Sequence, residues 1–468
     1  MNSIIRRPDF WIVALLFFLM IPAERLELFS QVENQLQGIR HIFRNSTLPI
    51  EETQFPYDQI LIVDTEEQFF EEYGSWPLRR ADIAQIVVNL RKLGAKVIAL
   101  DMLMDFPNGY GEDPILAEAL SAGEEGLQDT MVVAQLDLKG SELQKINGAT
   151  DVLAEATQMG YTNHTLIGSM LSRVRFYPEI QAEHQIWPFA VQALAMSLDV
   201  KPQLEGNELV VGPYRVPLDH NNDLWIDFPS LPPHTNFLSK NTPAAITAAM
   251  VLMDLEDIPE EEFEEETEDL RPLVENKIVL VGDTSEVSHD IFETPIGEVY
   301  GIEILADTIN TIINNGPIQP ASEGMEIAVL LILLVLFILA AQAHHFSTPL
   351  FFLITLGYVG VAFYAYIYHG VAFSMSYALL ACILSIFAIN LYQFLLERRQ
   401  KSFIKGAFSQ YLSPAVIDVI VDDPSKLKLG GERREMTAYF SDVQKFSTIS
   451  EKLTPEELVQ LLNEYLTA

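Results

Sequence analysis

Four apolar runs stand apart from the rest of the chain. The first is FWIVALLFFLMIPA at residues 10–23, directly after Arg6 and Arg7. A basic flank followed by an apolar run marks a signal peptide or a signal anchor. The run is short for a membrane span, which needs roughly 17–25 residues. No small-x-small cleavage site follows, because Ile21 stands where a small residue is wanted, so the pattern predicts an uncleaved anchor over a cleaved signal. Three later runs, 325–343, 349–368 and 371–395, contain no Lys or Arg. Buried core helices are the plain alternative, but three such runs in succession favour membrane spans. Only Tyr368, His369 and Gly370 separate the last two, which predicts a tight helical hairpin. Glu326 sits at a span end, where it can reach the interface.

Between the first run and the other three, the periodicity changes. Ile60 to Val63 is a continuous apolar run ending at Asp64. Ile83, Ile86, Val87, Leu90 and Leu93 follow at helical spacing and Gly94 closes them. Lys96 to Leu100 is the next strand, ending at Asp101, and Lys277 to Val281 is a further one, closed by Gly282. Ile302 to Ile313 then reads as a helix leading towards the membrane. Strand, helix, strand in this order predicts an α/β domain built on a parallel sheet.

Basic residues set the orientation. Arg6 and Arg7 precede the first span, and Arg398, Arg399, Lys401 and Lys405 follow the last. Both termini are then cytoplasmic, the four spans are 10–23, 325–343, 349–368 and 371–395, and residues 24–324 lie outside. The expected location is the cell (inner) membrane, multi-pass, with the outer domain periplasmic or extracellular and membrane lipid as a partner.

Charge narrows the function. The formal net charge of the 468 residues is −36, much of it in the outer part, with a dense run from Glu256 to Asp269. Such acidity disfavours nucleic-acid binding, which needs Lys and Arg to neutralise phosphates. Cys382 is the single cysteine and lies in an apolar run, so neither an intramolecular disulfide nor a cysteine metal site is available. Asp64 and Asp101 end neighbouring strands, where parallel sheets form ligand crevices. With Asp283, or His289 and Asp290, they line a ligand or cation site; helix capping and solvated loops are the alternative.

Several segments of this outer region carry a family resemblance. They are Tyr57-Asp58 with the strand after it, Trp76-Pro77, GAKVIALDMLMDFP (94–107), LWIDFPS (224–230), NKIVLVGDTSEVSHDIFETPIG (276–297) and Gly301-Ile302-Glu303. In this order, followed by three spans, they resemble the CHASE-type extracellular sensor domain of the second class over almost all of residues 24–320. The resemblance implies a bacterial receptor with an unknown extracytoplasmic ligand and a cyclase, kinase or diguanylate cyclase inside.

The remaining residues form a connector, 396–432, and a final segment, 433–468. Phe394, Phe403, Phe408 and Tyr411 place aromatics on a basic helix, an interfacial or dimerising device. Met436 to Phe440 reads as a strand ending on Asp442. A polar loop follows, and then Thr454-Pro455-Glu456-Glu457 makes a capping box with Pro at the first helical position. Leu458, Leu461, Leu462 and Tyr465 mark that helix's buried face. A carboxylate at a strand end beside free amides suits a divalent ion carrying a polyphosphate; an ordinary strand–loop–helix is the alternative.

FSDVQKFSTISEKLTPEELVQLLNEYL (440–466) strongly resembles the start of class III adenylate and guanylate cyclases. The resemblance implies the opening of an α+β ferredoxin-like domain. It implies that Asp442 is the first of two metal-binding aspartates and that the Val443 backbone carbonyl is a further ligand. Backbone amides around Phe446 and Ser447 would contact the triphosphate of ATP or GTP, with two Mg²⁺ or Mn²⁺ ions in the intact domain. Two positions depart from the family: Lys445 stands where Gly is usual, and Ser447 where Thr is usual. Lys445 adds a phosphate contact or narrows the loop. The second aspartate would lie beyond Ala468, which reads as a fragment of a longer protein. The expected function is a membrane-bound receptor cyclase making a 3′,5′-cyclic nucleotide as a homodimer through its cytoplasmic domains. A non-catalytic sensor or dimerisation protein is the alternative.

Overall fold

The computed structural model describes residues 8–48, 59–121, 123, 128–163, 165–167, 170–228, 245–252, 255, 258, 263, 266–342, 347–408, 435 and 437–467. The chain divides into two units, residues 1–392 and 393–468.

Eight strands make one sheet in the first unit: β1 (Ile60–Thr65), β2 (Val97–Leu100), β3 (Thr130–Lys139), β4 (Glu142–Asn147), β5 (Gln158–Tyr161), β6 (Trp187–Pro188), β7 (Ala245–Thr247) and β8 (Ile278–Asp283). Their order is β7-β1-β8-β2-β3-β5-β6, parallel throughout, with β4 antiparallel on β3. The strand sequences are continuously apolar because both faces of the sheet are covered. Ile60, Ile62, Val97, Ala99 and Leu280 face the helices Phe189–Ser197 and Gly301–Ile313. Leu61, Val63, Ile98, Leu100, Val279 and Val281 face the helices Arg80–Lys92 and Asp113–Ser121. All five apolar positions that predicted the first of these helices are buried. The last strand in sequence, β8, sits between the first two. That insertion brings the ends of β1, β8 and β2 side by side.

Among the described residues three helices are long and apolar enough to cross a membrane: Glu323–Ala340, Ser347–His369 and Met375–Arg399, the last being part of the helix Met375–Phe408. The first apolar run forms the helix Pro8–Arg25, which packs on Glu323–Ala340 with the rings of Phe17 and Phe337 5.7 Å apart. The predicted hairpin closes at Gly370, where φ is +64° and a Cβ atom would lie 1.8 Å from the Pro317 carbonyl oxygen. Only glycine fits both conditions. Cys382 is buried among these helices as a contact residue. Glu326 is buried too and accepts a hydrogen bond from the Ser374 amide at 2.8 Å. The span end therefore folds back onto the hairpin instead of reaching outward. Residues 30–47 form the helix Ser30–Thr47, packed along Ser347–His369.

The second unit differs from its expectation in two places. Residues 437–440 form no strand, and Met436 lies outside the described residues. A strand exists only by pairing, and no described residue offers these four a ladder partner. The helix Pro455–Thr467 does form, with Thr454 and Glu457 bonding reciprocally as the capping box requires: the Thr454 amide donates to Glu457 Oε2 at 2.9 Å. Its apolar face is not buried, however: Leu461 and Tyr465 are exposed and Leu458 and Leu462 only half-buried. The described residues of this unit supply no core for that face. The connector's residues 409–432 and most of the Glu256–Asp269 run lie outside the described residues.

Candidate functional site at the carboxyl end of the sheet

The strand order places the four predicted aspartates at one end of the sheet. Asp64 closes β1, Asp283 closes β8, and Asp101 follows β2, its amide donating to the Val281 carbonyl at 2.8 Å. Thr65 pairs with Asp283 and Asp64 with Gly282, so the two strand ends are in register. Asp290 arrives on the loop after β8. Its carbonyl accepts from the Gly301 amide at 2.9 Å, and a Cβ at Gly301 would lie 2.1 Å from Asp290 Oδ2. Glycine at 301 is therefore what lets the carboxylate seat against the helix start. His289 takes a left-handed φ of 52° and is exposed.

Each carboxylate has a different environment. Thr284 Oγ1 donates to Asp64 at 2.6 Å. Trp76 Nε1 and the Ser285 amide each donate to Asp283 at 2.8 Å. Burial pushes the Asp64 carboxyl up to about 6 against the bond from Thr284, with the charges of Glu66 and Asp283 adding to the rise. Burial, then the charge of Asp290, pushes Asp101 up to about 8 although it keeps some solvent contact. Asp290 rises to about 6 through burial and Asp283. These are mutually repelling acids held out of water, which favours their protonated forms.

Pattern reading missed two members of this neighbourhood. Glu303, on the helix Gly301–Ile313, accepts from the Tyr300 amide at 3.4 Å, and burial raises it to about 8. Asp307, one turn on, is buried, and neither carboxylate oxygen has a hydrogen-bond partner among the described residues. Burial pushes it well above the usual carboxylate range, followed by the charges of Glu303 and Asp227. The available signal was an acid at i and i+4 within a helix that carries no other charge. Among the described residues no three His, Cys, Asp or Glu side chains are placed to share a metal ion. The end of the sheet thus gathers several acids partly held out of water, with the Thr284 hydroxyl already donating to Asp64 and the Trp76 indole to Asp283.

A family model for the CHASE2 domain matches residues 12–340. The chain belongs to the CHASE2 family. The match runs from the helix Pro8–Arg25 through Glu323–Ala340, so the CHASE2 unit includes the apolar helix on each side of the sheet domain. The CHASE2 domain is a sensor domain of signal transduction, and all four aspartates lie within it. No curated protein and no solved structure matches the chain.

Where the CHASE2 sheet domain meets the apolar helices there is a cavity of about 120 Å³. Glu24, Glu33, Arg173, Trp225, Glu326 and Tyr377 are among its lining residues. Arg173 lies over the Trp225 ring, 4.3 Å from its centroid, and bonds Asp219 at 3.3 Å; Trp225 Nε1 donates to the same carboxylate at 2.9 Å.

In the second unit Asp442 is exposed on an irregular segment. The Val443 carbonyl accepts from the Phe446 amide at 3.1 Å, so that amide is already engaged. Ser447 is the second residue of the short helix Phe446–Ser450 and is exposed. Lys445, just before it, has φ 61°. A left-handed conformation costs a residue with a Cβ roughly 1–2 kcal/mol, which is the physical reason glycine suits this position. The Asp442 carboxylate and the second lone pair of the Val443 carbonyl are oxygen donors of the kind a hard divalent ion takes. The six or more oxygens such an ion takes would have to come largely from elsewhere.

Proposed function

We propose that this protein is a membrane receptor in which the CHASE2 domain faces the outside and controls a class III nucleotide cyclase inside. The observation that carries the receptor half is continuity. One family match covers the sheet domain together with the apolar helices before and after it. A ligand event at the acid-lined end of the sheet bears directly on the helix Gly301–Ile313, whose N-terminal residues Gly301 and Glu303 belong to that end. Residues 314–322 then lead from this helix into the first of the three apolar helices.

On this reading Pro8–Arg25 is a fourth span and both termini are cytoplasmic. The cyclase half is supported by the pattern at 440–466. Asp442 and the Val443 carbonyl would hold one Mg²⁺ or Mn²⁺, whose chemistry is to activate the ribose 3′-hydroxyl and steady the leaving phosphates of ATP or GTP. Ser447 and Lys445 stand beside the triphosphate, Lys445 as a point charge. A homodimer through the cytoplasmic domains would let the spans set the geometry between two protomers. Expression from the whole reading frame, with cyclic AMP and cyclic GMP measured in membranes, tests the output. Cyclic nucleotide should form with the native sequence and fall to background in Asp442→Ala, with membrane insertion unchanged. Full activity in Asp442→Ala would sink the metal assignment; no product from either nucleotide would leave a sensor without this output.

A further inference from the structure

The helix Ser30–Thr47 is inside out for a protein in water. Arg40 and His41 are fully buried, Gln37 and Asn34 are 1% exposed, and Glu33 and Asn45 are buried as well. Its outward positions hold Val32, Ile39, Ile42 and Phe43, with Phe43 54% exposed and Ile39 45%. Gln31, Gln35, Ser46 and Thr47 are the polar residues that share the outer side, and no charged residue of the helix stands there.

The inward polar side is specifically held. Arg40 Nη2 donates to Glu33 at 2.6 Å and Nη1 to the Phe373 carbonyl at 2.8 Å. Glu33 also accepts from the Ser376 amide at 2.8 Å. Arg44 donates to Asp227 at 2.7 Å, and His41 bonds the Tyr366 hydroxyl. At Gly38 the Pro295 carbonyl oxygen comes so near that a Cβ would lie 2.4 Å from it. The helix therefore cannot roll to hide its apolar side without breaking these contacts.

In water such an arrangement loses twice: charges are desolvated and apolar area is left wet. In lipid it is the expected one, since polar and ionisable groups there turn to the protein interior and apolar groups to the acyl chains. The neighbouring surface agrees. Phe43 lies edge-on to Phe363 of the helix Ser347–His369, 5.5 Å away, and that helix exposes Val361, Tyr364 and Tyr368. The Tyr364 and Tyr368 rings lie 5.0 Å apart near that helix's outer end, the level at which aromatic rings gather at a membrane interface. Leu26 and Leu28, in the link from Pro8–Arg25, are exposed too.

We infer that Ser30–Thr47 lies in the outer leaflet, with Val32, Ile39, Ile42 and Phe43 against acyl chains. It is then a lipid-contacting element of the sensor and not part of its watery domain. The inference rests on reading the apolar helices as spans, and the test separates the two.

A nitroxide is attached at Ile39→Cys, Ile42→Cys or Phe43→Cys in the full chain carrying Cys382→Ala, reconstituted in phosphatidylcholine–phosphatidylglycerol liposomes. Collision with oxygen and with a water-soluble nickel chelate is then measured. Leu353→Cys, on the exposed side of a span, is the lipid reference, and Lys139→Cys, on the sheet domain, is the aqueous one. Labels at the three helix positions should match Leu353→Cys, with oxygen collisions favoured severalfold over the Lys139→Cys ratio. Three positions guard against one variant that misfolds. Labels that match Lys139→Cys while Leu353→Cys stays lipid-exposed overturn the inference alone. If Leu353→Cys is itself open to the nickel chelate, the span reading falls and this inference with it. Labels shielded from both reagents, with spin–spin coupling between copies, would assign the surface to a second copy of the chain and also overturn it.

Discussion

Arg40 shows how much rests on single side chains at the junction of sheet domain and helices. It bonds Glu33 and two backbone carbonyls, those of Leu36 at 3.3 Å and Phe373 at 2.8 Å, and lies over the Tyr366 ring. Glu33 would be left as a buried, uncompensated charge without it. Arg40→Ala should therefore lower the unfolding free energy of the detergent-solubilised chain by about 3–5 kcal/mol. Arg40→Lys should recover only part of that loss, because an ammonium cannot reproduce the planar fork of donors. Unfolding in denaturant measures both; an alanine variant as stable as the native chain would remove the junction role. None of this was legible in sequence, where Arg40 and Glu33 look like two charges on a surface helix. Asp442 is the opposite case, singled out by pattern alone; it stands on an exposed segment, and among the described residues no further carboxylates are placed to complete a metal site.

The end of the parallel sheet has its own pH signature. Asp64 and Asp290 at about 6, and Asp101 and Glu303 at about 8, all sit above their ordinary values because burial penalises the charged form. The folded state then binds more protons than the unfolded one, so stability falls as pH rises. It is fully present below about pH 4, falls most steeply between about 4 and 6 while all four groups contribute, falls more gently from 6 to 8 through Asp101 and Glu303, and levels off above 8. Thermal unfolding followed from pH 4.5 to 9 should show a falling midpoint, and Asp101→Asn should flatten the upper part of that fall. A midpoint that rises over this range would refute the burial of these acids. The strands themselves were readable, since a sheet covered on both faces must use unbroken apolar runs. Which strand ends meet was not. β8 pairs with β2 from 181 residues away and with β1 from 218, Ile278 lying beside both Val97 and Ile60, and nothing local in β1 specifies that neighbour. Glu303 and Asp307 were missed because burial in a helix is decided by what packs on it.

Across the whole molecule, the four-span reading makes a direct prediction. A reporter enzyme active only outside the cytoplasm should be active when fused after Lys139 and inactive when fused after Arg399. Activity at both points, or the reverse pattern, would sink the topology. The sequence by itself determined the classes of segment: apolar runs of span length, an α/β domain between them, a capped helix at 455–467, and the pattern on which membership of the sensor family could be suspected. Composition and period suffice for these because each is a local consequence of how much apolar surface a segment must cover. Tertiary structure alone decided three things. It put β8 at the centre of the sheet and so gathered Asp64, Asp101, Asp283 and Asp290 at one end. Among the described residues it gave the 437–440 segment no ladder partner and the apolar face of Pro455–Thr467 no core. It also turned the helix Ser30–Thr47 so that its charges face inward and its Ile and Phe outward. The direction a helix faces depends on the solvent around it and the partners behind it, and neither is written in the helix's own residues.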